Sequence, residues 1–207
     1  MYDTLLADNI EAGGRELAAL AGANAQAWRA EYARLQLERC TGGLSSAQAA
    51  ERVMRACGID PTAELIGAVV GAHYELMIQT CLLYDDAVPF LEQLRQRAIK
   101  MALVSNCGDN TRPFLAHLNL LQLADEVILS SEVGFVKPSP EIYLRALSAL
   151  GVAAADAVMI DDNVSCCAGA ESVGIRAIQI ARSDPDDRSA QSAFPIVRSL
   201  HDAARLL

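Results

Sequence analysis

Four short apolar runs in the second half of the chain constrain its fold most: Lys100 to Ser105 (KMALVS), Glu126 to Leu129 (EVIL), Ala157 to Ile160 (AVMI) and Arg176 to Ile180 (RAIQI). Each is strand-length, and each is separated from the next by residues with a helical pattern. The spacing predicts amphipathic helices over 86–97 and 110–118, from Ser139-Pro140 to Leu150, and from the end of the third run to Val173, where Gly174 stops it. In the third of these helices Ile142, Ala146, Leu147 and Leu150 form the apolar stripe. Strands that are apolar throughout and alternate with helices imply a parallel sheet covered on both faces.

The chain reads differently ahead of Tyr84. Tyr2 to Ala7 is expected to be a short strand ending at Asp8. From about Glu11 to Leu83 the sequence is rich in Ala, Leu, Glu, Arg and Gln, all good helix formers. Gly42-Gly43 breaks this region, Ser45 with Gln48 forms a capping box, Gly58 ends that helix, and Asp60-Pro61 fits an N-cap and first helical position. The predicted organisation is an α/β core of residues 1–10 and 84–207 with a helical insert over 11–83. Such an insert sits over the carboxyl ends of the strands, where open α/β sheets bind ligands. Ser183 to Ser189 is expected to be a polar loop.

Of the 207 residues 52% are hydrophobic and 21% charged, as in a folded protein. A net charge of -9 argues against nucleic acid or an anionic membrane as the main partner. A small anionic substrate stays open, because a metal and one lysine can reverse the sign locally. No leader pattern and no bilayer-length apolar run is evident, so a cytoplasmic protein, monomeric or homodimeric, is expected. The six cysteines show no metal-ligand spacing and are expected to be reduced core thiols. His73, His117 and His201 stand alone and are expected to be structural or surface residues.

Three motifs follow predicted strands. Val104-Ser105-Asn106 places a small hydroxyl and an amide where they can donate to a phosphoryl oxygen. Lys137 stands before Pro138 in Ser130-Ser131-Glu132-Val133-Gly134-Phe135-Val136-Lys137-Pro138. That rigid junction holds an ammonium able to neutralise a carboxylate and a transferring phosphoryl group. Met159-Ile160-Asp161-Asp162-Asn163 puts two adjacent acids after an apolar strand, which suits a hard cation such as magnesium.

Together these strings resemble the core of haloacid-dehalogenase superfamily proteins, especially small phosphatases with a helical cap. The resemblance implies a Rossmann-like parallel sheet with an inserted α-helical cap, and an ordered set of nucleophilic aspartate, Ser/Thr, lysine and acidic metal-binding pair. Ser105, Lys137 and Asp161-Asp162 match the last three. It also implies a magnesium-dependent phosphatase of a small phosphorylated metabolite acting through an aspartyl-phosphate, with Ser105, Asn106 and Lys137 on the phosphate. The alternatives are a 2-haloacid dehalogenase and a non-catalytic binding or regulatory protein.

Two alignments of the first motif compete. In one, Asp8 ends the first strand and is the nucleophile and a metal ligand with Asp161 and Asp162; Ile10 then stands where the family has a second acid. In the other, Thr4-Leu5-Leu6 corresponds to the Thr-Leu-Leu that follows the family motif, and the first strand lies outside the sequence. The first strand is central in this fold, between the strands ending at Ser105 and Asp161. A gap there would bury unpaired backbone groups, which favours the first alignment. In the insert, Trp28 and Tyr32 are expected to pack in the core and Arg34 and Arg39 to be solvated, although either arginine could reach a substrate.

Overall fold

The computed structural model describes residues 1, 3–7, 10–182 and 193–207, with the side chains of 10–13 left aside. Strand β1 (Leu6–Ala7) is followed by five helices: α1 (Ile10–Ala21), α2 (Ala25–Arg34), α3 (Gln36–Cys40), α4 (Ser46–Ala56) and α5 (Ala63–Thr80). After β2 (Leu82–Leu83) and α6 (Ala87–Gln96), strands and helices alternate. They are β3 (Ala102–Ser105), α7 (Thr111–His117), β4 (Glu126–Leu129), α8 (Ser130–Val133), α9 (Pro140–Leu150), β5 (Val158–Asp161), α10 (Val164–Ser172) and β6 (Arg176–Ile180). The last elements are β7 (Ile196–Val197) and α11 (Leu200–Ala204).

All four apolar runs are strands, and all their pairings are parallel: β3 with β4, β5 with β6, and β6 with β7. Helices α6 and α11 pack with Phe90, Leu91, Leu94 and Leu200 in the larger core cluster. On the opposite face α9 contributes Ile142, Tyr143 and Leu147 to a second cluster with Ile128 and Ile175. The helices between β1 and β2 bury a separate cluster around Leu17, Trp28, Leu44, Val53, Met54 and Val69.

The local signals explain most helix starts. Ser45 and Gln48 make the reciprocal capping box of α4, and Ser139 precedes Pro140 at the start of α9. Helix α5 corrects one expectation. Its N-cap is Thr62, whose hydroxyl accepts from the Leu65 amide, and Asp60-Pro61 lies outside the helix. A hydroxyl one residue past the proline takes the cap because it can reach the third helical amide.

The first strand is the main correction. The described residues of the expected central strand over Tyr2 to Ala7, residues 3–7, do not form it. Only Leu6–Ala7 is strand, and it pairs antiparallel with Leu82–Leu83. The Met1 carbonyl accepts from both the Leu5 and Leu6 amides, at 2.8 and 3.2 Å, so the segment turns back on itself. Asp3 supports the turn with a φ of 51°. Arg182 holds the turn in place: its guanidinium donates to the Thr4 carbonyl at 2.6 and 2.9 Å and pairs with Asp86 at 2.7 Å. Consequently β3–β4 and β5–β6–β7 are separate sheets among the described residues.

Candidate active site

Ser105 ends β3 and Asp161 ends β5, so two sequence motifs reach the same, carboxyl-terminal edge of the strands. Both are buried, 1% and 2% exposed. Lys137 is 7% exposed, and its Nζ donates to Asp161 Oδ2 at 2.5 Å. The other oxygen, Oδ1, accepts from the Asn163 amide at 3.0 Å. A buried ion pair with both carboxylate oxygens engaged is positioned by its surroundings and holds them in turn.

Asn106 fixes the lysine from the other side. Its Nδ2 donates to the Lys137 carbonyl at 2.8 Å, and its Oδ1 accepts from the Lys137 amide at 2.6 Å. The residue after Ser105 thereby ties the β3 loop to the lysine loop. Ser130 adds a second tie: its hydroxyl accepts from the Cys107 amide at 2.9 Å. Neither contact was legible in the sequence, because they join residues 31 and 23 positions apart.

Asp162 is the freer acid. Thr4 Oγ1 donates to its Oδ1 at 3.1 Å. Burial, then the adjacent Asp161 charge, pushes the Asp162 carboxyl up. A carboxylate under that strain is one a cation would relieve. The described residues hold no cluster of three or more His, Cys, Asp or Glu that could cage a metal. Magnesium asks for less: one or two carboxylates, with water and substrate phosphate completing its shell. Asp162, with Asp161 beside it, fits that demand. Asp8, the expected nucleophile and metal ligand, lies outside the described residues.

Gly169 is a contributor that sequence reading passed over. A Cβ there would come within 2.5 Å of the Pro138 carbonyl oxygen and 2.8 Å of its Cβ. The missing side chain lets α10, which follows the acidic pair, press against the lysine loop. Tyr143 reinforces the contact from α9, donating to the Cys166 carbonyl at 2.7 Å. Cys166 and Cys167 are buried, and desolvation pushes their thiols up to about 11 and about 12. They are inert packing groups. All six cysteines are free thiols, as expected.

A cavity of about 810 Å³ lies between the helices that follow β1 and the loop after β3. Trp28, Tyr32, Arg39 and His73 line it with Asn106 and Asn110. The Arg39 guanidinium stacks 3.7 Å from the Tyr32 ring centroid, and His73 meets the same ring edge-on. His73 is pushed down to about 4 by burial, then by Arg39, so it is neutral at physiological pH. Arg39 therefore faces the cavity, whereas Arg34 pairs with Glu31 on the surface. His73, expected to be structural, lines the cavity as well. No helix among the described residues is long and apolar enough to cross a membrane.

The profile of the haloacid dehalogenase-like hydrolases matches residues 2–174. A glyceraldehyde 3-phosphate phosphatase from Methanopyrus kandleri is 31% identical over 65% of this chain and 59% of its own length. A phosphoserine phosphatase from Thermus thermophilus is 37% identical over 52% and 45%. The chain thus spans about half the length of the curated relatives it matches. A phosphatase of the same superfamily from Thermococcus onnurineus superposes with a TM-score of 0.64 at 26% identity, over 100% of this chain and 94% of that one. A 2-haloacid dehalogenase from Pseudomonas syringae superposes at 0.75, covering 100% and 94%; at 22% identity it speaks for the fold alone.

Proposed function

The chain belongs to the haloacid dehalogenase-like hydrolases, and from that premise we propose that it serves the magnesium-assisted hydrolysis of a small phosphate monoester. The observation that carries this is the buried Lys137–Asp161 pair with Asp162 beside it. A metal-free dehalogenase site has no use for the second acid. The phosphatases among its relatives support the same substrate class.

When bound, magnesium supplies positive charge to the phosphoryl oxygens; Asp162, with help from Asp161, would hold it. The rest is done by the chain's own groups. Lys137 stabilises charge on the phosphoryl group, and Asn106 keeps the lysine loop where that is possible. The Ser105 hydroxyl donates to a further oxygen. Residues 11–83 act as a cap, and the Arg39–Tyr32–His73 cavity selects the organic part of the substrate.

An attacking carboxylate is also needed, to form and then release an aspartyl-phosphate. The Thr4–Asp162 hydrogen bond favours the alignment in which Thr4-Leu5-Leu6 follows the family motif. In the other alignment the nucleophile is Asp8, which lies outside the described residues.

Calorimetry with inorganic phosphate tests the binding half. Phosphate should bind more tightly with magnesium than without, and Lys137→Ala and Asp162→Asn should each lose that binding. Binding unaffected by both substitutions would refute the site. Hydrolysis of an aryl phosphate tests the nucleophile: turnover that Asp8→Asn abolishes would restore Asp8 and overturn the second alignment.

A further inference from the structure

Arg39 is a partly buried cation on the wall of the 810 Å³ cavity, and it makes no ion pair among the described residues. Its guanidinium lies 3.7 Å from the Tyr32 ring centroid. The acids around it are already taken. Glu31 pairs with Arg34 at 2.6 Å and Glu38 with Arg52 at 2.9 Å. Asp109, close enough for its charge to act on both Tyr32 and His73, accepts from the Ser46 amide at 3.1 Å and from the Ser46 hydroxyl. A guanidinium stays charged in any protein setting and carries five N–H donors. With one face on an aromatic ring and its edge free, it is shaped to hold a planar anion by two parallel hydrogen bonds.

Its place says where that anion sits. A Cβ on Gly108 would come 3.9 Å from Arg39 Nη2, so the guanidinium abuts the loop that leaves β3. Ser105 starts that loop, and Asn106 and Cys107 line the same cavity. The three residues from Ser105 to Gly108 span at most about 10 Å, so one small molecule can reach both ends. Trp28, Leu76 and Met77 give the cavity an apolar wall. Arg29 lines it too, but is exposed, with its stem along Gly14. A single partly buried guanidinium beside a neutral imidazole balances one negative charge. A second phosphoryl group would bring nearly two.

We propose that Arg39 is a specificity residue that binds a carboxylate on the organic part of the substrate, which makes that substrate a small phosphorylated carboxylic acid. The phosphoryl half of this statement rests on the phosphatase reading; the carboxylate site does not.

Calorimetry in the presence of magnesium compares 2-carboxyethyl phosphate with propyl phosphate, its counterpart without the second charge. The carboxylate should tighten binding about tenfold or more. Arg39→Gln should bring the ratio near one and leave propyl phosphate binding as it was. Arg39→Lys, which keeps the charge and loses the fork, should retain only part of the ratio. Arg34→Gln, the same change of charge on the surface, should retain all of it. A ratio near one when both esters bind, a ratio that survives Arg39→Gln, or one lost equally in Arg34→Gln overturns the proposal. Tighter binding of ethanediol bisphosphate than of the carboxylate overturns it as well. The NMR signal of the Arg39 Nε–H, identified by its absence in Arg39→Lys, gives a reading without phosphate. Butyrate should shift it and butyramide should not; equal shifts, or none, overturn the proposal. A butyrate shift in a protein that binds neither ester leaves the carboxylate site standing and refutes the phosphatase reading instead.

Discussion

Removing the Lys137 ammonium should be among the most damaging single changes in this protein. Lys137 and Asp161 have side chains only 5% and 2% exposed, with Nζ and Oδ2 2.5 Å apart. Lys137→Ala leaves the Asp161 carboxylate in that place with the Asn163 amide still donating to Oδ1. Breaking a buried pair by removing one partner costs about 3–5 kcal/mol, because the other charge stays desolvated. The Asn163 amide still satisfies one carboxylate oxygen, so the lower end, about 3 kcal/mol, is expected. For a chain of this length that lowers Tm by about 6–12 °C. Adding Asp161→Asn removes the stranded charge, and the double variant should recover at least half of the loss. Urea unfolding followed by circular dichroism at neutral pH measures all three variants. A cost below about 1 kcal/mol for Lys137→Ala, the range of an exposed pair, would refute the reasoning. Simple additivity of the two single changes would refute it too.

Gly169→Ala should cost about 1–3 kcal/mol through overpacking against Pro138, and should weaken phosphate binding by displacing the lysine loop. Gly71→Ala, in α5 with open space around it, should instead stabilise by up to about 1 kcal/mol. Burial opposes the Asp86 charge, but hydrogen bonds from Arg182 and the Leu200 amide outweigh it and hold the carboxyl below its ordinary value. The folded state therefore binds the Asp86 proton less readily than the unfolded chain, so this contribution is present above the ordinary carboxylate range and is lost as pH falls through the folded value. Arg182→Ala should abolish that acid-side loss in a pH series of unfolding midpoints. His73 has the same sign for a different reason. Its folded value of about 4 lies below its ordinary 6.5, so stability should fall as pH drops from 6.5 towards 4, by at most about 3 kcal/mol. His73→Phe should flatten that slope.

Much of this was legible in the residues. The runs ending at Ser105, Leu129 and Ile180 are strands because continuous apolar sequence of that length suits only a strand buried on both faces. Lys137 and the Asp161-Asp162 pair could be picked out because their junctions with Pro138 and with an apolar strand are local. The contacts that make them a site are not local. Asn106 bridging to Lys137 and Gly169 pressing on Pro138 depend on how the helices close over the sheet. Strand β7 and helix α11 were missed because Ile196–Val197 is too short to carry a period. The polar loop expected over Ser183 to Ser189 lies outside the described residues.

The first strand failed for an instructive reason. The fold demands a strand between β3 and β5, and Tyr2 to Ala7 was the only segment available to meet the demand. Local chemistry went the other way. Met1 accepts two amides of its own turn, Arg182 clamps the Thr4 carbonyl, and Leu6–Ala7 finds its partner in Leu82–Leu83. A demand of the fold does not make a segment fill it.

The most direct measurement is hydrolysis of an aryl phosphate, with and without magnesium, by the protein and by its Asp162→Asn variant. Phosphate release that needs magnesium and is lost in Asp162→Asn is the result this account predicts. No release from the folded protein, or release indifferent to magnesium, would contradict it.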